Sequence, residues 1–220
     1  MLRRDWLMDQ IEMFAAALAR IIFNRNIRNY DQARIEIDNV LSGMLRLDPV
    51  QVRQLSDQEL IALLRKDEKT QADKALILAE VLYEEAEITE DESGFDDRVY
   101  ALYCKIFCLY TEAFISDNRL LRSKYLAKTE LLPGILAEQE PPLHVKYYLF
   151  RYYELTNNLA RAEDTLYELL DADYPDMPAQ GRAFYLRLMD KSDTELANGN
   201  LPRNEVEDGL AQMEKRLRKK

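Results

Sequence analysis

The sequence predicts an all-α protein, an array of antiparallel helical hairpins, and three observations carry that expectation. Apolar residues recur at steps of three and four, as in Leu7, Ile11, Phe14, Leu18 and Ile21, which puts them on one helix face. Six glycines and seven prolines in 220 residues are too few for a turn-rich all-β fold. No stretch alternates apolar and polar residues with β-branched enrichment, so no sheet is expected.

The elements follow in order. Residues 3–26 form the first helix and Asn29-Tyr30-Asp31 the turn after it. Ile35, Ile37, Val40, Leu41 and Met44 carry a second helix that Asp48-Pro49 closes. Ser56 and Glu59 have the spacing of a capping box and open a short helix ending near Lys66. Residues 70–89 are helical, with Ala75, Leu78, Ala79, Leu82 and Ala86 on one side, and the acidic stretch Glu87–Asp97 is a loop. Residues 98–116 are apolar nearly all round, which predicts a helix packed on several sides. Asp117 or Asn118 caps a helix that Pro133-Gly134 terminates. Pro141-Pro142 starts a helix to Thr156, its partner spans 159–172, and others follow at about 178–196 and 203–218. This gives nine or ten helices in a single domain over residues 1–220, with one soft boundary at 133–142.

Composition narrows the function classes. A chain of this length buries roughly 70% of its unfolded surface and needs no disulfide or metal. Hydrophobic content of 47% with 32% charged residues fits a folded protein and not a disordered one. A net charge of −10 opposes nucleic-acid binding and contact with anionic membranes. The two cysteines, Cys104 and Cys108, read as buried thiols in a reducing compartment. Acidic residues Asp5, Asp9 and Glu12 interrupt the N-terminal apolar run, which excludes a signal peptide. No segment reaches the uninterrupted apolar length of a membrane span. The expectation is a cytoplasmic protein.

Chemistry-bearing residues are sparse. His144 is the single histidine, so a two-histidine zinc site within one chain is excluded. Cys104 and Cys108 share a helix face but have no further thiol or histidine to complete a metal site. Tyr100, Tyr103, Phe107, Tyr110 and Phe114 form an aromatic ladder, read first as a packed seam and secondly as the lining of a ligand cavity. The acidic run Glu84–Asp97 lacks the residue order of a calcium loop. Lys215-Arg216-Leu217-Arg218-Lys219-Lys220 suits a helix C-terminus. Phosphate loops and nucleophile elbows are absent. The sequence therefore predicts a protein that is not an enzyme and holds no cofactor.

Residues 149–175 carry a further signal. Leu149 and Tyr153, the turn Asn157-Asn158, then Ala162, Leu166 and Pro175 describe two helices crossing closely at a small residue. That spacing resembles a tetratricopeptide repeat. A second match covers 17–49, through Ile21, Tyr30-Asp31-Gln32-Ala33, Ile37, Val40 and Pro49. Lys146, Phe150 and Leu169 depart from the pattern, and Phe150 is expected to push its two helices apart. The opening from Met1 to Glu12 resembles the start of a bacterial family without assigned function. The repeat resemblance implies a right-handed superhelix whose first-position helices line a groove, with Tyr147, Arg151 and Glu154 facing it. It implies a scaffold that binds a protein or peptide partner. Two alternatives stand beside it: a structural homo-oligomer joined through Trp6, Met13 and Ala17, and a small-molecule sensor with a cavity around Tyr100, Tyr103 and Tyr110.

Overall fold

The computed structural model describes residues 2–65, 71–123 and 125–218, with side chains described from Glu12 onward except at Gln71. Trp6, Lys66, Lys219 and Lys220 lie outside the described side chains. The chain folds as two compact units, Met1–Leu120 with Lys124–Glu138, and Leu121–Ser123 with Gln139–Lys220. Helix is the only regular structure among the described residues.

The first unit opens with α1 (Leu2–Asn26) and α2 (Tyr30–Asn39), which continues as a π-helical turn, Val40–Met44. Two short helices follow, α3 (Pro49–Gln54) and α4 (Asp57–Leu64). Then come the long pair α5 (Gln71–Ser93) and α6 (Asp97–Ser116), and the one-turn helices α7 (Tyr125–Thr129) and α8 (Leu132–Leu136). Helices α5 and α6 pack along their length, and Val99, Ile106, Phe107, Leu109, Ala113 and Phe114 of α6 are fully buried. Here the sequence expectation about membranes needs correction. Helix α6 does have the length and composition of a span, although 72% of its most apolar window is buried inside the protein.

Three other expectations are corrected. The acidic stretch is no loop: α5 runs on to Ser93, and only Gly94, Phe95 and Asp96 connect it to α6. Its carboxylates are neutralised from neighbouring elements, Glu87 by Arg25 at 3.0 Å and Glu92 by Arg34. Gly94 turns the chain at a φ of 77°, which glycine adopts without a Cβ penalty, and Asp96 accepts from the amides of Arg98 and Val99 to cap α6. Pro133 does not terminate a helix but begins α8, where its missing N–H has no bond to lose. The helix expected over 178–196 breaks at Asp190–Ser192 because Ser192 and Glu195 form a capping box.

The second unit holds α9 (Leu143–Leu155), α10 (Leu159–Asp171), α11 (Met177–Met189), α12 (Asp193–Asn198) and α13 (Arg203–Arg218). The α9–α10 turn and the α1–α2 turn are built alike. Asn157 and Arg28 take left-handed φ values of 58° and 59°. The N-cap residues that follow, Asn158 and Asn29, have φ/ψ of −87°/64° and −88°/65°. In both turns the N-cap amide returns to a carbonyl five residues back, over 2.8 Å, which satisfies an orphan helix carbonyl. Ala162 and Ala33 are fully buried just beyond. Phe150 is fully buried in one core cluster with Ala162 and Leu166 of α10, and its ring meets Phe184 of α11 edge-on at 5.3 Å.

Candidate functional site

Tyr147, Arg151 and Glu154 stand at steps of four and three along α9, so they share one face of the helix. Tyr147 stacks on Tyr174 with ring centroids 6.0 Å apart. Arg151 donates to the Tyr147 hydroxyl at 3.5 Å, and its Nε lies 3.5 Å from Glu154 without an aligned hydrogen bond. Glu154 is gripped from α11: Arg187 donates to both carboxylate oxygens, at 2.6 and 2.9 Å. This fork geometry gives a strong, oriented ion pair. The three predicted residues are thus together, and two guanidinium groups share one carboxylate.

Sequence reasoning missed Arg187. The available signal was register. Helices α9 and α11 are both thirteen residues long, and α11 begins and ends 34 positions after α9. Helix α12 begins 34 positions after α10, and the contacting rings Phe150 and Phe184 are also 34 positions apart. The register ends at Gly199–Pro202, after which α13 packs on α11. Gly199 lies against the α9–α10 turn, where a Cβ would stand 2.5 Å from Leu159, and its carbonyl accepts from the amide of Ala160 at 3.0 Å.

Beside Tyr147, its stacking partner Tyr174 lines a surface cleft of about 300 Å³ with Pro175, Asp176, Pro178 and Arg216. Two residues of the α10–α11 connection, Asp173 and Asp176, hold left-handed φ values of 50° and 60°, which fixes the cleft wall in a bent path.

In the first unit, Tyr100, Tyr103 and Tyr110 direct their hydroxyls at internal acceptors. Tyr100 donates to the Leu136 carbonyl at 3.0 Å, Tyr103 to Glu87 at 2.9 Å and Glu90 at 3.0 Å, and Tyr110 to Glu80. These carboxylates belong to an array on α5 in which Glu80 and Glu84 are buried and Glu87 and Glu90 are half-buried. Lys128 from α7 pairs with Glu80 at 3.0 Å and Glu84 at 3.5 Å, while Arg25 pairs with Glu84 at 3.1 Å and Glu87 at 3.0 Å. Burial raises the Glu84 carboxyl above its ordinary range, and Arg25 and Lys128 only partly offset this. Burial and the neighbouring Glu87 and Glu84 push Tyr83 up to about 12.

The remaining candidates are placed plainly. Cys104 and Cys108 are free buried thiols, and burial pushes Cys104 up to about 11, a poor nucleophile at neutral pH. His144 sits half-buried in the first turn of α9. Lys215, Arg216 and Arg218 occupy the last turn of α13. Met13 is exposed on α1 whereas Ala17 is buried. Among the described residues no three His, Cys, Asp or Glu side chains gather where they would hold a metal ion.

The profile of a family described as a family of unknown function (DUF6483) matches residues 1–218. No curated protein and no solved structure matches the chain.

Proposed function

The chain belongs to that family of unknown function, and from this premise we propose that it is a non-catalytic scaffold binding a protein or peptide through the faces of α9 and α11. The observation that carries the reading is the 34-residue register of α9 with α11 and of α10 with α12, the period of a tetratricopeptide repeat. The matched turns at Asn29 and Asn158 support it. In such an array the first helix of each hairpin lines the groove, and here those helices present Tyr147, Arg151, Glu154 and Arg187. Two arginines around one carboxylate suit a partner that brings a carboxylate of its own, met in a fork by Arg151. Tyr147 and the cleft beside Tyr174 supply the flat apolar contact that anchors such partners.

The test is affinity capture from a lysate of the native organism, using the wild type and the Tyr147→Ala/Arg151→Ala double variant. Circular dichroism first establishes that the variant is folded. A partner retained by the wild type and lost by the variant is the expected result. Capture that survives both changes rules out this face. Self-association alone in both samples favours the homo-oligomer reading. Of the residues named for that reading, Met13 is 56% exposed on α1 and Ala17 is buried; Phe23 on the same helix and Ile27 just beyond its end add exposed apolar surface, at 61% and 56%. The engaged hydroxyls of Tyr100, Tyr103 and Tyr110 count against a cavity among them.

A further inference from the structure

Around Lys128 the first unit holds a cage for an ammonium group. Its Nζ lies 3.0 Å from Glu80 Oε2, 3.5 Å from Glu84 Oε1 and 4.7 Å above the centre of the Tyr83 ring. Two carboxylates and an aromatic face are the groups that attract a desolvated alkylammonium. The cage walls stand on the two long helices. Glu80, Tyr83 and Glu84 occupy one stretch of α5, and Tyr110 of α6 fixes the second oxygen of Glu80. The Glu80 and Glu84 side chains are 2% and 3% exposed.

The occupant is held differently. Lys128 belongs to a helix of five residues, and between Tyr125 and Leu131 only Thr129 is buried. Its own side chain is 33% exposed, so the lysine itself reaches from the buried carboxylates to solvent. Without Lys128, Glu80 would keep only the Tyr110 hydroxyl among these partners. Among the described residues Glu84 would keep Arg25, whose guanidinium lies 3.1 Å from Glu84 Oε2 yet gives that buried oxygen no aligned hydrogen bond. Two buried carboxylates left facing one cation carry a large desolvation penalty, which a free ammonium relieves.

We propose that Glu80, Tyr83 and Glu84 form a binding site for the primary ammonium of an aliphatic chain, and that Lys128 is its tethered, displaceable occupant. This site is separate from the α9–α11 face and stands or falls independently of it. A tether of this kind acts as a competitor at high effective concentration, so the wild type binds more weakly than a chain lacking the lysine.

The test is chemical rescue of Lys128→Ala by n-butylammonium chloride, read as thermal stability. Sodium chloride and tetramethylammonium chloride serve as controls at equal ionic strength. The variant should melt several degrees below the wild type, and n-butylammonium alone should restore the loss along a saturable curve. The wild type should respond to the same amine only at concentrations at least about tenfold higher. Equal effects of all three salts on the variant would overturn the proposal. So would a wild type that stays unresponsive up to the solubility of the amine salt. Lys128→Met, whose stem takes the place of the lysine's without a charge, should not be rescued; rescue there places the amine elsewhere and also overturns the site. Should Lys128→Ala not fold in buffer, refolding yield in the same salt series replaces melting as the readout. Recovery with n-butylammonium alone supports the site and its absence rejects it.

Discussion

At Gly209 an added Cβ would stand 2.5 Å from the Tyr185 hydroxyl oxygen and closer still to two ring carbons. Tyr185 is fully buried, and its hydroxyl donates to Glu163 at 2.6 Å, so the ring has no room to swing aside. Glycine inside a helix is about 1 kcal/mol less favourable than alanine, and here the close approach of α13 to α11 requires it. Overpacking costs about 1–3 kcal/mol. Because the neighbour is a pinned ring, Gly209→Ala should be a net loss, lowering the calorimetric melting temperature despite the better helix former; an unchanged or higher value would contradict this packing. The sequence showed Ala162 as a crossing residue through its spacing from the Asn157-Asn158 turn. Gly209 carried no such marker, because its constraint comes from Tyr185, 24 positions away in the chain. Likewise Tyr147, Arg151 and Glu154 were legible as one helix face, whereas Arg187 entered only when α11 was seen to lie against α9.

Helix boundaries followed local chemistry where that chemistry was read. The Ser56–Glu59 capping box was recognised from its spacing and is present, with Ser56 Oγ accepting from the Glu59 amide at 3.2 Å. The same box at Ser192 and Glu195 lies inside the stretch 178–196 expected to be one helix, and it separates α11 from α12. Arg203 reinforces the break, donating to the Met189 carbonyl at 3.0 Å and pairing with Asp193 at 2.8 Å. Ser192→Ala removes the cap at a cost of about 1 kcal/mol. The expected outcome is a melting temperature lower by about 2–4 °C, measured by calorimetry. No change would mean that packing alone sets this boundary. Helix α5 outran its expected end for the opposite reason. Its last turns are acidic, and their stability depends on Arg25 and Arg34 arriving from α1 and α2, which no local pattern announces.

For the whole molecule the last crossing of the chain between its two compact units falls between Glu138 and Gln139, inside the proline-bounded stretch 133–142. Residues 137–140 are exposed and outside any helix, the condition for preferred nicking. A glutamate-specific protease at low dose should therefore cut first after Glu138, giving fragments that end at residue 138 and begin at residue 139 by mass spectrometry. A first cut within α5, at Glu90 or Glu92, would instead mean that its acidic end opens more readily than this connection.

By itself the sequence determined the helical class, the absence of strand signals, most helix positions and the hairpin turn at Asn157-Asn158, because periodicity and caps act over one or two turns. It also determined the repeat-like spacing that motivates the functional proposal. The tertiary structure alone decided the buried Glu80–Glu84–Lys128 array, the grip of Arg187 on Glu154 and the glycine crossing at Tyr185. In each of these the energy resides in a pair of groups far apart in the chain. A charge that would be penalised in isolation is stabilised by a partner that only folding brings within about 3 Å.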